Sequence, residues 1–364
     1  MTGSAHIWGV RVGAVAWFVA GAAFLLSVPV LIQAWLFLLP IIAIVAFALA
    51  MPLAWLWSRL ARRPGFPGPW LKTGSALLFL LSVIVAAPVY YFAFSTQLRP
   101  ALVPQVSLTN GPKTIVIQGM QHVGTDRFFR GVVFDMEEAL ARGDILFYEG
   151  VRSSDPASAR WFADTVADGQ NLTGAYREIG SVCGLTVQND YLKVVAADAV
   201  LHPDRHVTAD VTTAELKQEY DRLMVADPAF AAAMRRKAEA GADTDGVESI
   251  LNFMTSGSAG QREIAGVICR GIMTQVMLRS NDPTVRDELD PLILDFRNRV
   301  LAQRLLQETR PDIYVTYGAK HIPGVFALLK ASDPRWRVAA IKWVRTIDSP
   351  ETYDRVLPGL EPAP

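Results

Sequence analysis

The sequence predicts an α/β protein in which a membrane anchor of three transmembrane helices is followed by a mixed α/β domain with a central sheet. Two observations lead to this fold class. Residues 12–58 contain no charged side chain, and about 20 apolar residues suffice for one crossing of a bilayer. Beyond residue 112, short apolar runs typical of strands alternate with longer segments in which apolar residues have a helical spacing.

The anchor is predicted to occupy residues 1–97, with helices at about 10–31, 35–57 and 74–96. The uncharged run is long enough for two crossings, which a turn near Gln33 would separate. The run is also much longer than the apolar core of about 7–15 residues in a cleaved signal peptide. We therefore expect the anchor to remain part of the protein.

Basic residues predict the orientation of the anchor. Residues 1–97 hold five basic side chains and no acidic one, and four of the five lie between Arg59 and Lys72. This loop is expected in the cytoplasm, because Lys and Arg are enriched in cytoplasmic loops. The N-terminus is then also cytoplasmic, and the chain after Thr96 is extracytoplasmic. This topology is that of a multi-pass cell (inner) membrane protein with a periplasmic domain.

The rest of the chain is mildly acidic. Of the 35 basic residues of the chain, 35 − 5 = 30 remain in residues 98–364 against 35 acidic ones, a formal charge of −5. No basic stripe is present, which argues against nucleic acid as a partner. The expected partners are the lipid bilayer and a peptide or small-molecule substrate. An oxidising compartment would permit a disulfide between Cys183 and Cys269, and two buried free thiols are the alternative.

The first part of the α/β domain has a strand–helix–strand pattern. Thr114–Gln118 is predicted as a strand, Asp126–Arg142 as a helix that Gly143 ends, and Asp144–Tyr148 as the next strand. Such a unit is normally a right-handed parallel crossover between neighbouring strands. Residues 98–112, which contain Pro and Asn, are predicted as the linker that precedes it.

The last part of the domain is predicted as helix, strand and helix. A long helix is expected at about residues 287–308, a strand at Ile313–Tyr317 and a short helix from Val325. The middle, at about residues 155–285, is predicted to be mainly helical. With these elements the α/β domain covers residues 113–335, and residues 336–364 form a C-terminal extension.

Two of the five histidines occupy the same local context. His122 and His321 each end a G-x-x-H motif, beginning at Gly119 and Gly318, directly after a strand-like run. Glu149 follows the strand that ends at Tyr148. The carboxyl ends of parallel strands lie at the edge of an open α/β sheet where ligands bind. The pattern therefore predicts a site with two imidazoles and a carboxylate, suited to a divalent metal ion or to acid/base chemistry.

These motifs resemble the TraB/GumN family, which is related to the Tiki-type extracellular metalloproteases. The shared elements are the two G-x-x-H motifs, Glu149, the pair Arg297-Asn298 and the segment Thr208–Thr212. The resemblance covers about residues 113–332 and implies two related βα halves around a central sheet. For the Tiki branch it also implies divalent-metal-dependent peptide cleavage by the two histidines and the glutamate. Gln121 departs from the small residue that often precedes the first histidine in this family.

The resulting hypothesis is an exported, metallopeptidase-like hydrolase. His122, Glu149 and His321 would hold a divalent ion such as Mn²⁺ or Co²⁺, with positions left open for water and substrate. The ion would polarise the scissile carbonyl and activate the water. Arg297 would steady developing negative charge, or else be a charge on a helix face. The glycines Gly119, Gly318 and Gly324 are expected to serve backbone turns beside the site.

Two other functions fit the same residues. In a metal-free, esterase-like enzyme one histidine would be the general base and Glu149 would orient it. In a non-catalytic membrane sensor the same pocket would bind a peptide or a small ligand. His202 and His206 flank a Pro-Asp-Arg loop without a third ligand nearby, so we expect them at the surface.

Overall fold

The computed structural model describes residues 2–60, 67–166, 172–240, 257–282 and 284–348. The chain divides into two compact units. The membrane unit consists of Met1–Ser95 and Phe253–Gly271, and the α/β unit consists of Thr96–Asn252 and Ile272–Pro364.

Three long apolar helices confirm the predicted number of segments that could cross a membrane. They are α1 (Thr2–Ala34), α2 (Leu38–Leu60) and α3 (Pro67–Leu98). Among the described residues, these are the helices long and apolar enough to cross a membrane. Arg62 and Arg63, in the loop that predicts the orientation, lie outside the described residues, so the orientation stays a prediction.

The described part of the α/β unit contains a six-stranded sheet with the strand order β6-β4-β7-β2-β1-β8. The strands β2, β7, β4 and β6 are parallel to one another, whereas β1 is antiparallel to both β2 and β8. A second sheet pairs the two short strands β3 and β5. The strands are β1 (Leu102–Thr109), β2 (Thr114–Met120), β3 (Val123–Gly124), β4 (Ile145–Tyr148), β5 (Thr186–Val187), β6 (His206–Thr208), β7 (Asp312–Gly318) and β8 (Arg337–Arg345).

Helices cover both faces of the parallel part of the sheet, as they do in most α/β proteins. The helices that follow α3 are α4 (Asp126–Arg142), α5 (Pro156–Thr165), α6 (Leu172–Cys183), α7 (Gln188–Leu201), α8 (Thr213–Ala226), α9 (Pro228–Ala240), α10 (Ala259–Ser280), α11 (Arg297–Gln307) and α12 (Ile322–Ser332). Neither Cys183 nor Cys269 is a free thiol.

The sequence pattern of the strands explains the two cores. In β4, Ile145 and Phe147 face one core and Leu146 faces the other, because successive side chains of a strand point to opposite faces. The helices α11 and α12 pack on the first face, and α4 and α7 pack on the second. The helix α4 begins and ends as predicted, with Thr125 capping its start and Gly143 in the left-handed conformation at its end.

Three sequence predictions about the sheet need correction. The strands β2 and β4 are parallel, but they are not neighbours, because β7 lies between them. The predicted linker, residues 98–112, contains β1, and the predicted C-terminal extension contains β8. These two strands pair with each other and extend the sheet beyond β2. The two related halves that the family resemblance implies stay a prediction.

Candidate functional site

The carboxyl ends of three parallel strands bring the predicted residues to one edge of the sheet. Glu149 directly follows β4, and its backbone N–H donates to the Thr316 carbonyl of β7 at 2.9 Å. His122 lies two residues beyond β2 and His321 three residues beyond β7. Because β7 lies between the other two strands, Glu149 and His321 emerge from adjacent strands.

His321 is buried and is held by a hydrogen bond at one ring nitrogen. Its Nδ1 lies 2.7 Å from Oδ1 of Asn298. An amide oxygen only accepts, so this partner assigns the ring proton to Nδ1 and leaves Nε2 as the acceptor. The Nε2 atom lies 3.9 Å from Oε1 of Glu149. Burial, and next the charge of Arg297, lower the pKa of His321 to about 4, so the ring is neutral at pH 7.

Glu149 is an ionised carboxylate, and each of its two oxygens has a fixed donor. Nη2 of Arg297 donates to Oε1 at 2.6 Å, and the backbone N–H of Gly318 donates to Oε2 at 2.6 Å. Burial by itself raises the pKa of this carboxyl. The Arg297 guanidinium, together with the two histidines, outweighs burial and brings the pKa below its ordinary value. Glu149 therefore keeps its negative charge at neutral pH.

Asp210 completes a buried charge cluster around Arg297. Nε and Nη2 of Arg297 donate to the two carboxylate oxygens of Asp210 at 2.9 and 2.5 Å, a bidentate pair. The backbone N–H groups of Gly150 and Val211 also donate to Asp210, at 2.9 and 2.8 Å. Arg297 is thus a buried cation between two carboxylates and not a solvated charge on a helix face. It fixes the position of Glu149.

Asp210 is a site residue without a predicted role, although it lies in the segment Thr208–Thr212 that contributes to the family resemblance. The sequence does contain a signal that could have identified Asp210 as a site residue. Asp210 stands between Ala209 and Val211 just after β6, and all three are buried. A carboxylate with apolar neighbours at the carboxyl end of a strand needs a partner, because burying it unpaired is costly.

A π-helical turn precedes the two consecutive side chains that support the site. Pro291–Phe296 forms this turn and leads directly into α11, which begins at Arg297. Arg297 and Asn298 are both buried, and each reaches a different member of the pair formed by Glu149 and His321. Irregular π-turns of this kind are frequent at functional sites.

Two of the motif glycines allow close approach between side chain and backbone. A Cβ atom at Gly324 would lie 2.3 Å from the amide nitrogen of Asn298, and one at Gly318 would lie 3.3 Å from Oε2 of Glu149. Neither glycine has a positive φ angle. These two positions therefore do not need the left-handed backbone that glycine permits, and what they provide is space for the groups that hold His321 and Glu149.

The side chain of His122 is exposed at the same edge of the sheet. Its ring stacks on that of Tyr176, with centroids 4.7 Å apart. The His122 ring contributes, after Arg297 and His321, to the lowered pKa of Glu149. Among the hydrogen bonds and ion pairs of the described residues, none joins the His122 side chain to His321 or Glu149. Two of the predicted site residues are therefore in contact, and the third stands on the solvent side.

The predicted metal ligands do not form a ligand set. Within the described ranges, no three His, Cys, Asp or Glu side chains lie close enough together to hold an ion. An ion about 2.1 Å from both Nε2 of His321 and Oε1 of Glu149 would span their 3.9 Å gap with an angle of about 135°, which matches neither the ~109° of a tetrahedral site nor the ~90° of an octahedral site. Oε1 also accepts from the Arg297 cation, which would repel a metal ion. The donors, as arranged, do not fit the Mn²⁺ or Co²⁺ ion.

A second histidine cluster lies away from this site. The side chain of His206 is only 6% exposed, and its Nδ1 and Nε2 lie 2.6 Å from the Tyr148 hydroxyl and 2.7 Å from Asp198. His202 is exposed and lies 3.0 Å from the same aspartate. The predicted surface position is confirmed for His202 and wrong for His206, because β6 places the latter beside β4.

Comparison with known proteins identifies no relative of this chain. No protein-family model matches the chain, and neither a curated protein nor a solved structure matches it. The resemblance to the TraB/GumN family therefore rests on the motifs themselves.

Proposed function

We propose that this chain is a membrane-anchored hydrolase whose α/β unit acts outside the cytoplasm. The supporting observation is the pair formed by His321 and Glu149, in which a neutral imidazole nitrogen and an ionised carboxylate oxygen lie 3.9 Å apart. Further hydrogen bonds hold both groups in place. Such a pair can bind a water molecule and accept a proton from it.

One water molecule fits between the two acceptors. If its oxygen lay about 2.8 Å from each acceptor, the 3.9 Å gap would give an angle of about 90° at the oxygen. This angle is close to that between the two O–H bonds of water, so each bond can point at one acceptor. The lone pairs of the oxygen then remain free to attack a carbonyl carbon. The gap therefore suits a water molecule better than a metal ion held by both groups.

Hydrolysis follows from this arrangement. The water oxygen bonds to the acyl carbon while Nε2 of His321 accepts one proton, and this proton passes to the leaving group when the acyl bond breaks. The charge of Glu149 offsets the positive charge that forms on the imidazole. Asn298 and Arg297 are positioning residues, because the first orients the imidazole and the second fixes the carboxylate. His122 is exposed and available to bind the substrate.

The substrate is an ester or an amide of a peptide or a small molecule. The resemblance to the Tiki branch favours a peptide, whereas activation of water without a metal also suits esterase-like chemistry. A metal-dependent peptidase and a non-catalytic ligand-binding sensor are the competing proposals.

The location outside the cytoplasm rests on two arguments. The basic loop between Arg59 and Lys72 favours the cytoplasmic side, which puts the chain after α3 on the opposite side. Neither Cys183 nor Cys269 is a free thiol, as expected for a protein in an oxidising compartment.

The test is hydrolysis by the purified full chain in detergent, with a mixture of fluorogenic peptides and aryl esters as substrates. We expect His321→Gln and Glu149→Gln each to lose roughly 10²–10⁴-fold in turnover, the usual contribution of a general base. His202→Gln, which changes an exposed histidine of the other cluster, is the matched control and should keep full turnover.

Three results would contradict the proposal. Turnover that His321→Gln leaves unchanged would exclude the imidazole as the base. Turnover that a chelator removes and Mn²⁺ or Co²⁺ restores would favour the metal-dependent peptidase. Absence of turnover with every substrate, together with saturable binding of one of them, would favour the sensor.

A further inference from the structure

The proposed hydrolysis needs a donor for the negative charge that forms on the acyl oxygen when water adds to the carbonyl. The donors described so far at the site are already bonded to carboxylates. Nε and Nη2 of Arg297 donate to the two buried carboxylates, and the backbone N–H of Gly318 donates to Glu149. A further donor is therefore expected on the solvent side of the pair formed by His321 and Glu149.

The stacked rings of His122 and Tyr176 lie on the β2 side of this pair. The strands β2 and β7 are parallel neighbours that pair up to their last residues. His122 follows β2 by two residues and His321 follows β7 by three, so the two histidines leave neighbouring strands at nearly the same level. Glu149 follows β4, on the other side of β7. In strand order, His321 therefore stands between Glu149 and the stacked rings.

The small sheet of β3 and β5 holds Tyr176 over His122. Tyr176 lies on α6, and after this helix the chain turns at Gly184, which has a φ angle of 59°, into β5. The strand β5 pairs antiparallel with β3, which begins directly after His122. The backbone N–H of Gln188, just past β5, also donates to the His122 carbonyl at 3.0 Å. Backbone hydrogen bonds on both strands thus fix α6 beside the end of β2.

The hydroxyl of Tyr176 is a donor that no other described residue uses. The side chain is half-buried, and among the described residues no hydrogen bond reaches its oxygen. Burial, and next the charge of Glu149, raise the pKa of Tyr176, so the hydroxyl keeps its proton at neutral pH. The charge of Glu149 acts on this hydroxyl and the His122 ring acts on Glu149, which places both stacked rings within electrostatic reach of the carboxylate.

We propose, on the basis of the hydrolysis proposed above, that the hydroxyl of Tyr176 donates a hydrogen bond to the acyl oxygen of the substrate. As water bonds to the acyl carbon, one electron pair of the carbonyl moves onto this oxygen and one proton of the water passes to His321. The charge of Glu149 repels the oxygen, which therefore points away from β4 and towards Tyr176. The carbonyl forms again when the leaving group departs with the proton from His321, and Tyr176 keeps its own proton throughout. Tyr176 is thus a catalytic residue, and His122 positions its ring.

The test compares the native full chain in detergent with Tyr176→Phe, which removes the hydroxyl and keeps the stacked ring. Tyr191→Phe is the matched control, because Tyr191 also stacks on an aromatic ring, that of Phe129 at 5.3 Å, and packs on a core of the sheet. We expect kcat of Tyr176→Phe to fall about 10²–10³-fold, with KM and Tm little changed, and Tyr191→Phe to keep native turnover. A peptide phosphonate, a tetrahedral anion that resembles the transition state, should bind Tyr176→Phe more weakly by the same factor as kcat/KM falls.

Turnover that His321→Gln removes and Tyr176→Phe keeps would overturn the role of Tyr176 and leave the proposed hydrolysis intact. Turnover that His321→Gln keeps would contradict the proposed hydrolysis, and the role of Tyr176 with it. A higher KM with unchanged kcat in Tyr176→Phe would also overturn the role, because the hydroxyl would then bind substrate and transition state equally. Equal affinity of the native chain and Tyr176→Phe for the phosphonate would overturn it even if no substrate is turned over.

Discussion

Neutral, buried His321 makes the stability of the α/β unit depend on pH in a defined window. The folded chain takes up the proton near pH 4, below the ordinary value of 6.5. Between these values the unfolded chain binds more protons, so stability rises with pH and is lost as the pH falls from 6.5 towards 4. At about 1.4 kcal/mol per pKa unit, the full shift is worth about 3 kcal/mol, of which about 2 kcal/mol is lost at pH 5.

The assay compares thermal unfolding of the full chain and of His321→Gln in a nonionic detergent at pH 7 and pH 5. Other groups titrate in both proteins, so the difference between the proteins isolates the histidine. We expect the stability advantage of the native chain to shrink by about 2 kcal/mol, or roughly 4–8 °C in Tm, between pH 7 and pH 5. An advantage that stays constant between the two pH values would refute the assignment of His321 as a buried neutral base.

Two further substitutions test the groups that hold the site. Gly324→Ala would put a Cβ atom 2.3 Å from the Asn298 amide nitrogen, so we expect turnover to fall roughly 100-fold through misplacement of His321. Gly131→Ala, where a Cβ meets nothing within 4 Å, should leave turnover unchanged, and an equal loss in both variants would contradict the steric argument. Arg297→Met leaves the buried carboxylate of Asp210 and the largely buried carboxylate of Glu149 without a cation, and thermal unfolding should show a loss of about 3–5 kcal/mol. A loss below about 1 kcal/mol would mean that water reaches the cluster.

The strands that form the site could be predicted because their signals are local. Apolar runs followed by G-x-x-H or Glu appear in the sequence at β2, β4 and β7, and the structure has parallel strands at all three. Their order could not be predicted in the same way. The strand–helix–strand pattern favours β2 and β4 as neighbours, but insertion of β7 depends on the packing of α11 and α12, which lie some 150 residues later in the chain.

The strands β1 and β8 were missed because their pairing is not local. Pro104 in β1 reads as part of a linker, since proline is rare inside a sheet, yet the strand pairs with β8 across more than 200 residues. The sequence of β8, Arg-Val-Ala-Ala-Ile-Lys-Trp-Val-Arg, also lacks the strict alternation of apolar and polar residues that marks a half-buried strand.

The composition of the site was predicted better than its bonding. His321 and Glu149 do meet, but the sequence could not show that both oxygens of Glu149 are taken by Arg297 and Gly318. The prediction of a metal site considered only the residue types of the three ligands and not the bonds that they already make. A carboxylate already paired with a cation is a poorer ligand than its residue type suggests.

Activation of water by His321 and Glu149 without a metal ion is the step on which the proposed hydrolysis depends. The most direct measurement is turnover by the full chain after exhaustive chelation, with metal content determined in the same sample and His321→Gln measured beside it. We predict that the metal-depleted native chain keeps its turnover and that the variant loses it. Near-stoichiometric metal in the active protein, with turnover lost on chelation and restored by Mn²⁺ or Co²⁺, would contradict metal-free activation of water.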